Sequence, residues 1–235
     1  MWQADAVPRS LPLAALVLAV GACSSDAGRP AEEATPDEVM TEAKATLDET
    51  SGVSITLATE DLPEGVSAIR RAEGVGTHDP AFDGTLTVVL SGADLDVPVV
   101  AVDGKVYAQI PLTPGWSDVD PREYGAPDPA QLMSPDTGLS SLLPATTGLT
   151  PGDSVRGGEG NREVLTQYTG GTVPGDAVDG VIPSAEGDFE AAYTVSDDGE
   201  LRTARLTGVF YPDTEAMTYT IDFADYGSSP DITAP

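Results

Sequence analysis

The chain has 235 residues, a single cysteine, and 39 acidic residues against 11 basic ones, which gives a formal net charge of −28. A lone cysteine excludes a scaffold of disulfide bonds within the chain. The shortage of Lys and Arg excludes a nucleic-acid-binding protein, because such a protein must neutralise phosphates. An anionic membrane surface would also repel the chain, so attachment to a membrane would need something other than basic side chains.

The first 22 residues are typical of a secretory signal peptide. Residues 11–20 (LPLAALVLAV) form an uncharged apolar run, which is too short to span a bilayer and has the length found in signal peptides. The run ends at Val20, and Gly21, Ala22 and Cys23 complete a pattern that resembles the bacterial lipobox. In a lipobox the cysteine receives diacylglycerol and becomes the mature N-terminus. We therefore predict a lipid anchor on Cys23, with a buried structural cysteine as the alternative.

The sequence predicts that a single folded domain occupies residues 35–235. Residues 23–34 are rich in small, polar and charged side chains and have no apolar periodicity, which is typical of a flexible tether. Thr35, Pro36 and Glu38 fit the N-cap, N1 and N3 positions of a helix with a capping box. Apolar residues then recur at helical spacing up to Glu49, namely Val39, Met40, Ala43 and Leu47.

The remainder of the domain is dominated by predicted strands. Apolar and polar residues alternate in residues 53–57, 85–90, 97–110, 189–210 and 217–223, as in strands with one face against a core and one against water. Asp103-Gly104 and Asp197–Gly199 supply turns for two hairpins. Short helices are predicted within residues 128–144, which three prolines interrupt, and near residues 175–181. The expected class is α+β, with an antiparallel sheet and few helices.

The sequence contains no credible catalytic or metal site. The single histidine, His78, lies in a turn-like stretch, and no Gly-x-Ser-x-Gly motif accompanies it. Asp118 and Asp120 could begin a calcium-binding loop, but the glycine and the final glutamate that such a loop requires are missing. A glycine-rich phosphate-binding loop is also absent. We therefore predict a protein that is not an enzyme and needs no metal or cofactor.

Three stretches carry a resemblance to a known family: residues 84–110 (GTLTVVLSGADLDVPVVAVDGKVYAQI), residues 115–121 (GWSDVDP) and residues 124–143 (YGAPDPAQLMSPDTGLSSLL). Together they resemble the actinobacterial LppX/LprA/LprF/LprG lipoproteins, and within that family they are most similar to the LprG members. The resemblance implies a half-barrel like that of the LolA and LolB lipoprotein carriers. In such a fold, a strongly curved antiparallel sheet wraps around a few helices and leaves an apolar cavity.

The resemblance also implies a function. Family members hold acylated lipids, such as triacylglycerol or triacylated glycolipids, in the cavity and carry them between membranes. LprG-type members are linked to an exporter of the major facilitator superfamily. We therefore expect a monomeric lipoprotein on the extracytoplasmic face of the cell membrane, with an acylated lipid or glycolipid as ligand. The alternative is a membrane-anchored interaction protein that assists an exporter and carries no lipid.

The family pattern implies which residues line the cavity. Leu139, Leu142 and Leu143 would form a helical lid, and Val100 and Val102 are assigned inward although Val97, Val99 and Ala101 are also apolar. The other candidates lie on the predicted strands: Val53, Ile55, Leu57, Leu86, Val88, Leu90, Tyr219, Ile221 and Phe223.

Small residues interrupt the predicted inward faces. They are Gly74, Gly76, Ala204 and Gly208. Missing side-chain volume can become a cavity, and we expect the few short helices to leave part of the concave side of a curved sheet unfilled. A fully packed interface between sheet and helices is the alternative.

Overall fold

The computed structural model describes residues 34–235, except Glu64 and Gly125. Cys23, the predicted signal peptide and the predicted tether up to Glu33 lie outside the described residues. Their assignments stay predictions.

The helices lie where the sequence predicts them, but those in the middle of the chain are shorter. The α-helices are α1 (Pro36–Glu49), α2 (Leu142–Ala145) and α3 (Gly175–Val181), and 3₁₀ turns span Pro121–Tyr124, Gln131–Met133, Leu139–Ser141 and Glu159–Asn161. The predicted capping box of α1 is confirmed, since Thr35 N–H donates to Glu38 Oε2 at 2.8 Å and Glu38 N–H donates to Thr35 Oγ1 at 3.3 Å. Within the described part of the chain, none of the helices is long and apolar enough to cross a membrane.

The strands form one antiparallel sheet. They are β1 (Gly52–Ala58), β2 (Ala68–Thr77), β3 (Ala81–Leu90), β4 (Ala93–Val102), β5 (Lys105–Ala108), β6 (Ser117–Val119), β7 (Thr150–Gly157), β8 (Glu163–Val173), β9 (Glu186–Ser196), β10 (Leu201–Val209) and β11 (Met217–Ala224). Their order in the sheet is β6-β5-β4-β3-β2-β1-β11-β10-β9-β8-β7. The sheet therefore consists of two meanders, β1–β6 and β7–β11, joined where β1 pairs with β11.

The predicted hairpins are confirmed, and several strands were not predicted. Asp103 and Gly104 join β4 to β5 with φ angles of 55° and 71°, as a type I′ turn requires. The sequence did not predict β2, β6, β7 or β8. Strand β6 has three residues, and the other three strands contain both charged residues and glycines.

One face of the sheet, the inner face, packs against the helices. Residues that pair directly across antiparallel strands lie on the same face. Ile55 pairs with Phe223 and Gly74, and Leu57 pairs with Ile221, so these positions share the inner face. The main hydrophobic cluster joins them to Met40, Ala43 and Leu47 of α1, Leu142 and Leu143 of α2, and Val178 and Val181 of α3. The predicted class, an antiparallel sheet around a few helices, is confirmed.

Candidate functional site

The candidate site is the apolar seam between the inner face of the sheet and the α2 segment, defined as residues 128–146. A cavity of about 10 Å³ remains in this seam, which is room for about one water molecule. Eight of the nine side chains around the cavity are aliphatic or phenylalanine, and the ninth is Tyr193. They are Leu139, Leu142, Leu143, Tyr193, Leu201, Ala204, Leu206, Ile221 and Phe223.

Many of the residues predicted for the cavity lie at this seam. Leu139, Leu142, Leu143, Ile221 and Phe223 line the gap itself. The other predicted cavity residues of β1 and β11 belong to the main hydrophobic cluster around the gap. Val53 and Tyr219 are buried in this cluster, and Ile55 and Leu57 pack against it.

The assignment of Val100 and Val102 to the inner face is wrong. Leu86 pairs with Val97, so Val97 and every second residue after it in β4 share the face of Leu86. Val100 and Val102 therefore point to the other face of the sheet. Odd- and even-numbered residues of this strand are both apolar, so alternation alone could not show which set points to the inner face.

The predicted residues of β3 do not line the seam. Leu86 packs against a second hydrophobic cluster, in which Phe82 is a buried member. Val88 is half-buried, and Leu90, at the end of the strand, is 52% exposed. The second cluster comprises Phe82, Val99, Ala101, Val106, Ala108 and Ala130, with Leu86, Val97 and Val119 packed against it.

Three residues that line the gap were missed by the sequence reasoning. Tyr193, Leu201 and Leu206 lie on β9 and β10. The signal was present in the predicted hairpin of residues 189–210, because Leu206 pairs with Tyr219, which was assigned to the cavity. A strand that pairs with a cavity-lining strand places the opposite residues on the same face, and this is the signal that identifies β10.

Most of the inward-facing small residues do not create empty space. A Cβ atom on Gly74 would lie 2.6 Å from Cζ of Phe82, and a Cβ atom on Gly76 would lie 2.6 Å from Cγ of Met133. At Gly208 the same atom would lie 2.5 Å from the ring of Phe189. The space beside each of these glycines is occupied by a neighbouring side chain. Of the small residues expected to open a cavity, Ala204 lines the gap.

The polar groups near the seam tie the α2 segment to its neighbours. The hydroxyls of Tyr193 and Thr146 lie 2.8 Å apart in a buried hydrogen bond. Burial raises the pKa of Tyr193 to about 12. On the other side of the segment, Lys44 Nζ of α1 donates to the carbonyl oxygen of Pro135 at 2.6 Å and to Ser140 Oγ at 3.4 Å.

A hydrogen-bonded pair of tyrosines lies at the edge of the main cluster. The hydroxyls of Tyr211 and Tyr219 lie 3.0 Å apart, and Tyr219 also donates to the carbonyl oxygen of Ile69. Burial is the main cause that raises the pKa of Tyr219 above its ordinary value. These bonds connect β11 with β2 at the point where a register shift interrupts the pairing of β2 with β3.

The described residues offer no arrangement for catalysis or metal binding. His78 lies in the turn between β2 and β3. In residues 34–235 as described, no group of three or more His, Cys, Asp or Glu side chains could hold a metal ion. The seam can therefore exclude water and hold apolar groups, but it presents no reactive group.

Residues 35–231 match the LppX_LprAFG lipoprotein family. The chain belongs to this family. Membership confirms the predicted family and agrees with the prediction that the chain is not an enzyme.

The sequence is also similar to curated relatives. It is 34% identical over 142 residues to the lipoarabinomannan carrier protein LprG of Mycobacterium tuberculosis (strain H37Rv), a match that covers 59% of this chain and 57% of that protein. It is 34% identical over 136 residues to the same carrier from Mycobacterium leprae, covering 55% and 53%. The chain thus matches little more than half the length of these curated relatives.

Two solved structures share the fold. LprF from Mycobacterium bovis superposes with a TM-score of 0.66 at 13% identity, covering 85% of this chain and 96% of that one. LppX from Mycobacterium tuberculosis gives a TM-score of 0.62 at 15% identity, covering 84% and 97%.

Proposed function

We propose that this protein is a cell-envelope lipoprotein that holds the acyl chains of a lipid between the inner face of its sheet and the α2 segment, and carries that lipid between membranes. The observation that carries the proposal is the seam, whose lining is apolar except for one hydrogen-bonded tyrosine. The family match and the name of the mycobacterial relatives, a lipoarabinomannan carrier, support it.

Under this proposal the structure is the closed form of the carrier. Pockets for small ligands have volumes of about 300–1,000 Å³, whereas the present cavity has about 10 Å³. Loading therefore requires the inner face and a covering element to separate. The covering element is the α2 segment, residues 128–146, because its leucines form one side of the gap.

The α2 segment is suited to such a movement. Three prolines interrupt it, at positions 129, 135 and 144, and its helical parts are 3₁₀ turns and the four residues of α2. Strands β9–β11, on the other side of the gap, are held by antiparallel backbone pairing, with register shifts near both ends of β10. The bonds from Lys44 and Tyr193 are the polar contacts that opening would break.

The energetics favour opening only when lipid replaces the lost contacts. Exposing Leu139, Leu142 and Leu143 costs about 2 kcal/mol for each side chain. One acyl chain of about sixteen carbons is stabilised by about 12 kcal/mol relative to water in a bilayer and in an apolar cavity alike. The acyl chain therefore moves between the two at little cost, and it covers the leucines that opening exposes. A long-chain lipid can therefore hold the protein open, and the empty protein closes.

The finer parts of the proposal rest on the family resemblance. We propose that the cargo is triacylglycerol or a triacylated glycolipid, that the protein acts as a monomer and that an exporter of the major facilitator superfamily is its partner. Acylated Cys23 would hold it on the extracytoplasmic face of the cell membrane, since a chain with a net charge of −28 gains no attraction from anionic lipids. The competing function is a membrane-anchored interaction protein without lipid cargo.

Native mass spectrometry of the full chain, purified from an actinobacterial host, tests the proposal. We expect a population whose extra mass, released on extraction, is that of an acylated lipid. A chain that carries no such lipid from the host and takes up none on titration with triacylglycerol or acylated glycolipid would favour the interaction protein instead.

A further inference from the structure

The connection between β5 and β6 is an uncharged stretch of a strongly acidic chain. Residues 106–117 (VYAQIPLTPGWS) contain no charged side chain, in a protein with 39 acidic residues and 11 basic ones. Within this stretch, the docking loop, defined as residues 110–116, joins the two strands at one edge of the sheet.

A tight turn at the start of the docking loop presents a leucine at its tip. Thr113 N–H donates to the carbonyl oxygen of Ile110 at 3.0 Å, which closes a turn with Pro111 and Leu112 at its centre. Leu112 has a φ of 69°. Proline followed by a residue with positive φ is the pattern of a type II turn, whose third position normally takes glycine or asparagine.

The leucine is thus both strained and unprotected. Leu112 is fully exposed, and Ile110 and Trp116 in the same loop are each 36% exposed. Leu90, also exposed, ends β3, which runs in the same direction as β5. A strained backbone that displays an apolar side chain to water points to a functional contact.

We propose that the docking loop inserts Leu112 into the interfacial region of a lipid bilayer and is the surface through which the carrier meets a membrane. This inference rests on the proposed function, because a carrier must contact the bilayer from which it takes its cargo. The acidic body is repelled by anionic headgroups, whereas the uncharged loop can approach them.

The form of the loop favours a bilayer over a protein partner. A stable protein interface buries about 800 Å² on each partner, and a projecting turn with one fully exposed leucine offers far less. Lipids of a fluid bilayer can surround a single apolar side chain, so no large complementary surface is needed. Tryptophan, here at position 116, is enriched at membrane interfaces.

Fluorescence quenching of Trp116 tests the inference. The protein is prepared with Trp2→Phe, so that Trp116 is the remaining tryptophan whether or not the predicted signal peptide is removed. It is mixed with phosphatidylcholine vesicles whose acyl chains are brominated. We expect bromine to quench Trp116, and we expect Leu112→Gly to lower the ratio of inserted to free loop about tenfold, as the loss of one buried leucine implies. Glycine also fits the turn, so this variant keeps the fold.

Val155→Ser is the matched control. Val155 is an exposed apolar residue, 59% exposed, on β7 at the opposite edge of the sheet, and its replacement should leave the quenching unchanged. Unquenched Trp116 in the parent protein overturns the inference, whether the chain floats with the vesicles or stays free. Concentration-dependent dimers without quenching also overturn it and assign the loop to a second copy of the chain.

Native mass spectrometry of the same samples separates this inference from the proposed function. Bound acyl lipid without quenching would support the proposed carrier function and contradict the proposal that the docking loop contacts the bilayer. Quenching without bound lipid would overturn the carrier and leave the loop as the contact of a membrane-anchored interaction protein.

Discussion

The side chain of Met133 fills the space above Gly76, where a Cβ atom would lie 2.6 Å from Met133 Cγ. Met133 is buried, in the 3₁₀ turn Gln131–Met133, and Gly76 lies on β2. The contact fastens the start of the α2 segment to the inner face of the sheet. Because methionine is unbranched and adaptable, the contact can be released without breaking any hydrogen bond.

We expect Gly76→Ala to lower the free energy of unfolding by about 1–3 kcal/mol, since the added methyl group displaces Met133. Met133→Ala should cost about 2–3 kcal/mol by leaving a cavity. The double variant should cost less than the sum of the two, because the new methyl group occupies the vacated space. Urea unfolding of all four proteins measures this coupling, and strict additivity would show that the two residues do not share the space.

Ala204→Phe should block lipid loading. Ala204 lines the gap, and a phenyl ring there occupies the space into which acyl chains are proposed to enter. Ala192→Phe is the matched control, because Ala192 lies next to Ala191 in β9 and pairs with Arg205, so it points to the outer face. Native mass spectrometry should show bound lipid in the control alone, with thermal unfolding confirming that both variants fold. Normal loading of Ala204→Phe would place the lipid elsewhere.

Lys44→Met should speed lipid release, because Lys44 bonds α1 to Pro135 and Ser140 of the α2 segment. The replacement keeps the length of the side chain but removes its donors. Lys105→Met, which breaks an exposed ion pair with Asp118, serves as control. Release of a fluorescent fatty-acyl lipid, followed by stopped flow, should be severalfold faster in Lys44→Met and unchanged in the control. Equal rates would mean that the bonds of Lys44 do not limit opening.

Stability should fall at alkaline pH, in part through Tyr193. The unfolded tyrosine releases its proton near pH 10.0, whereas the folded one holds it to a pKa of about 12. The unfolded state therefore binds fewer protons between these values, and stability that is fully present below pH 10 falls by about 3 kcal/mol as the pH approaches 12.

Tyr193→Phe separates this effect from those of the other tyrosines. At neutral pH the variant should lose about 1 kcal/mol with the hydrogen bond to Thr146, and its alkaline decline should be shallower. Denaturant unfolding at a series of pH values between 8 and 12 measures both effects. An unchanged alkaline slope would show that Tyr193 titrates normally in the folded protein.

Leu112→Gly should raise the free energy of unfolding slightly. The positive φ of Leu112 costs about 1–2 kcal/mol in a leucine, and the greater flexibility of glycine in the unfolded chain offsets part of that gain. Leu112→Ala, which retains the strained backbone, should bring no gain. Chemical denaturation compares the two variants, and equal stabilities would show that the turn is not strained.

The sequence predicted best those elements whose chemistry is local. The capping box at Thr35 and the Asp103-Gly104 turn each depend on a few adjacent residues, and both are confirmed. The inward face of β4 depends instead on which residue of β3 each valine opposes. Val97, Val99 and Val100 are all apolar, so this register became visible only in the paired strands.

The same distinction explains the outcome at the candidate site. Ile221 and Phe223 were recognised because β11 alternates cleanly between apolar and polar residues. Whether the glycines leave empty space was not predictable from the sequence. The space beside Gly76, for example, is occupied by Met133, which lies 57 positions away in the chain. Whether a missing side chain leaves space depends on partners that no local pattern identifies.

The junction between the two meanders has a consequence for how the protein folds. Ser54 pairs with Ala224, 170 positions later in the chain, whereas the hairpins on either side join near neighbours. Closing so long a loop costs chain entropy that local pairings do not. We therefore expect the hairpins to form early and the β1–β11 junction to be the slow step, with the amides of these strands the last to gain protection in pulsed hydrogen-exchange experiments.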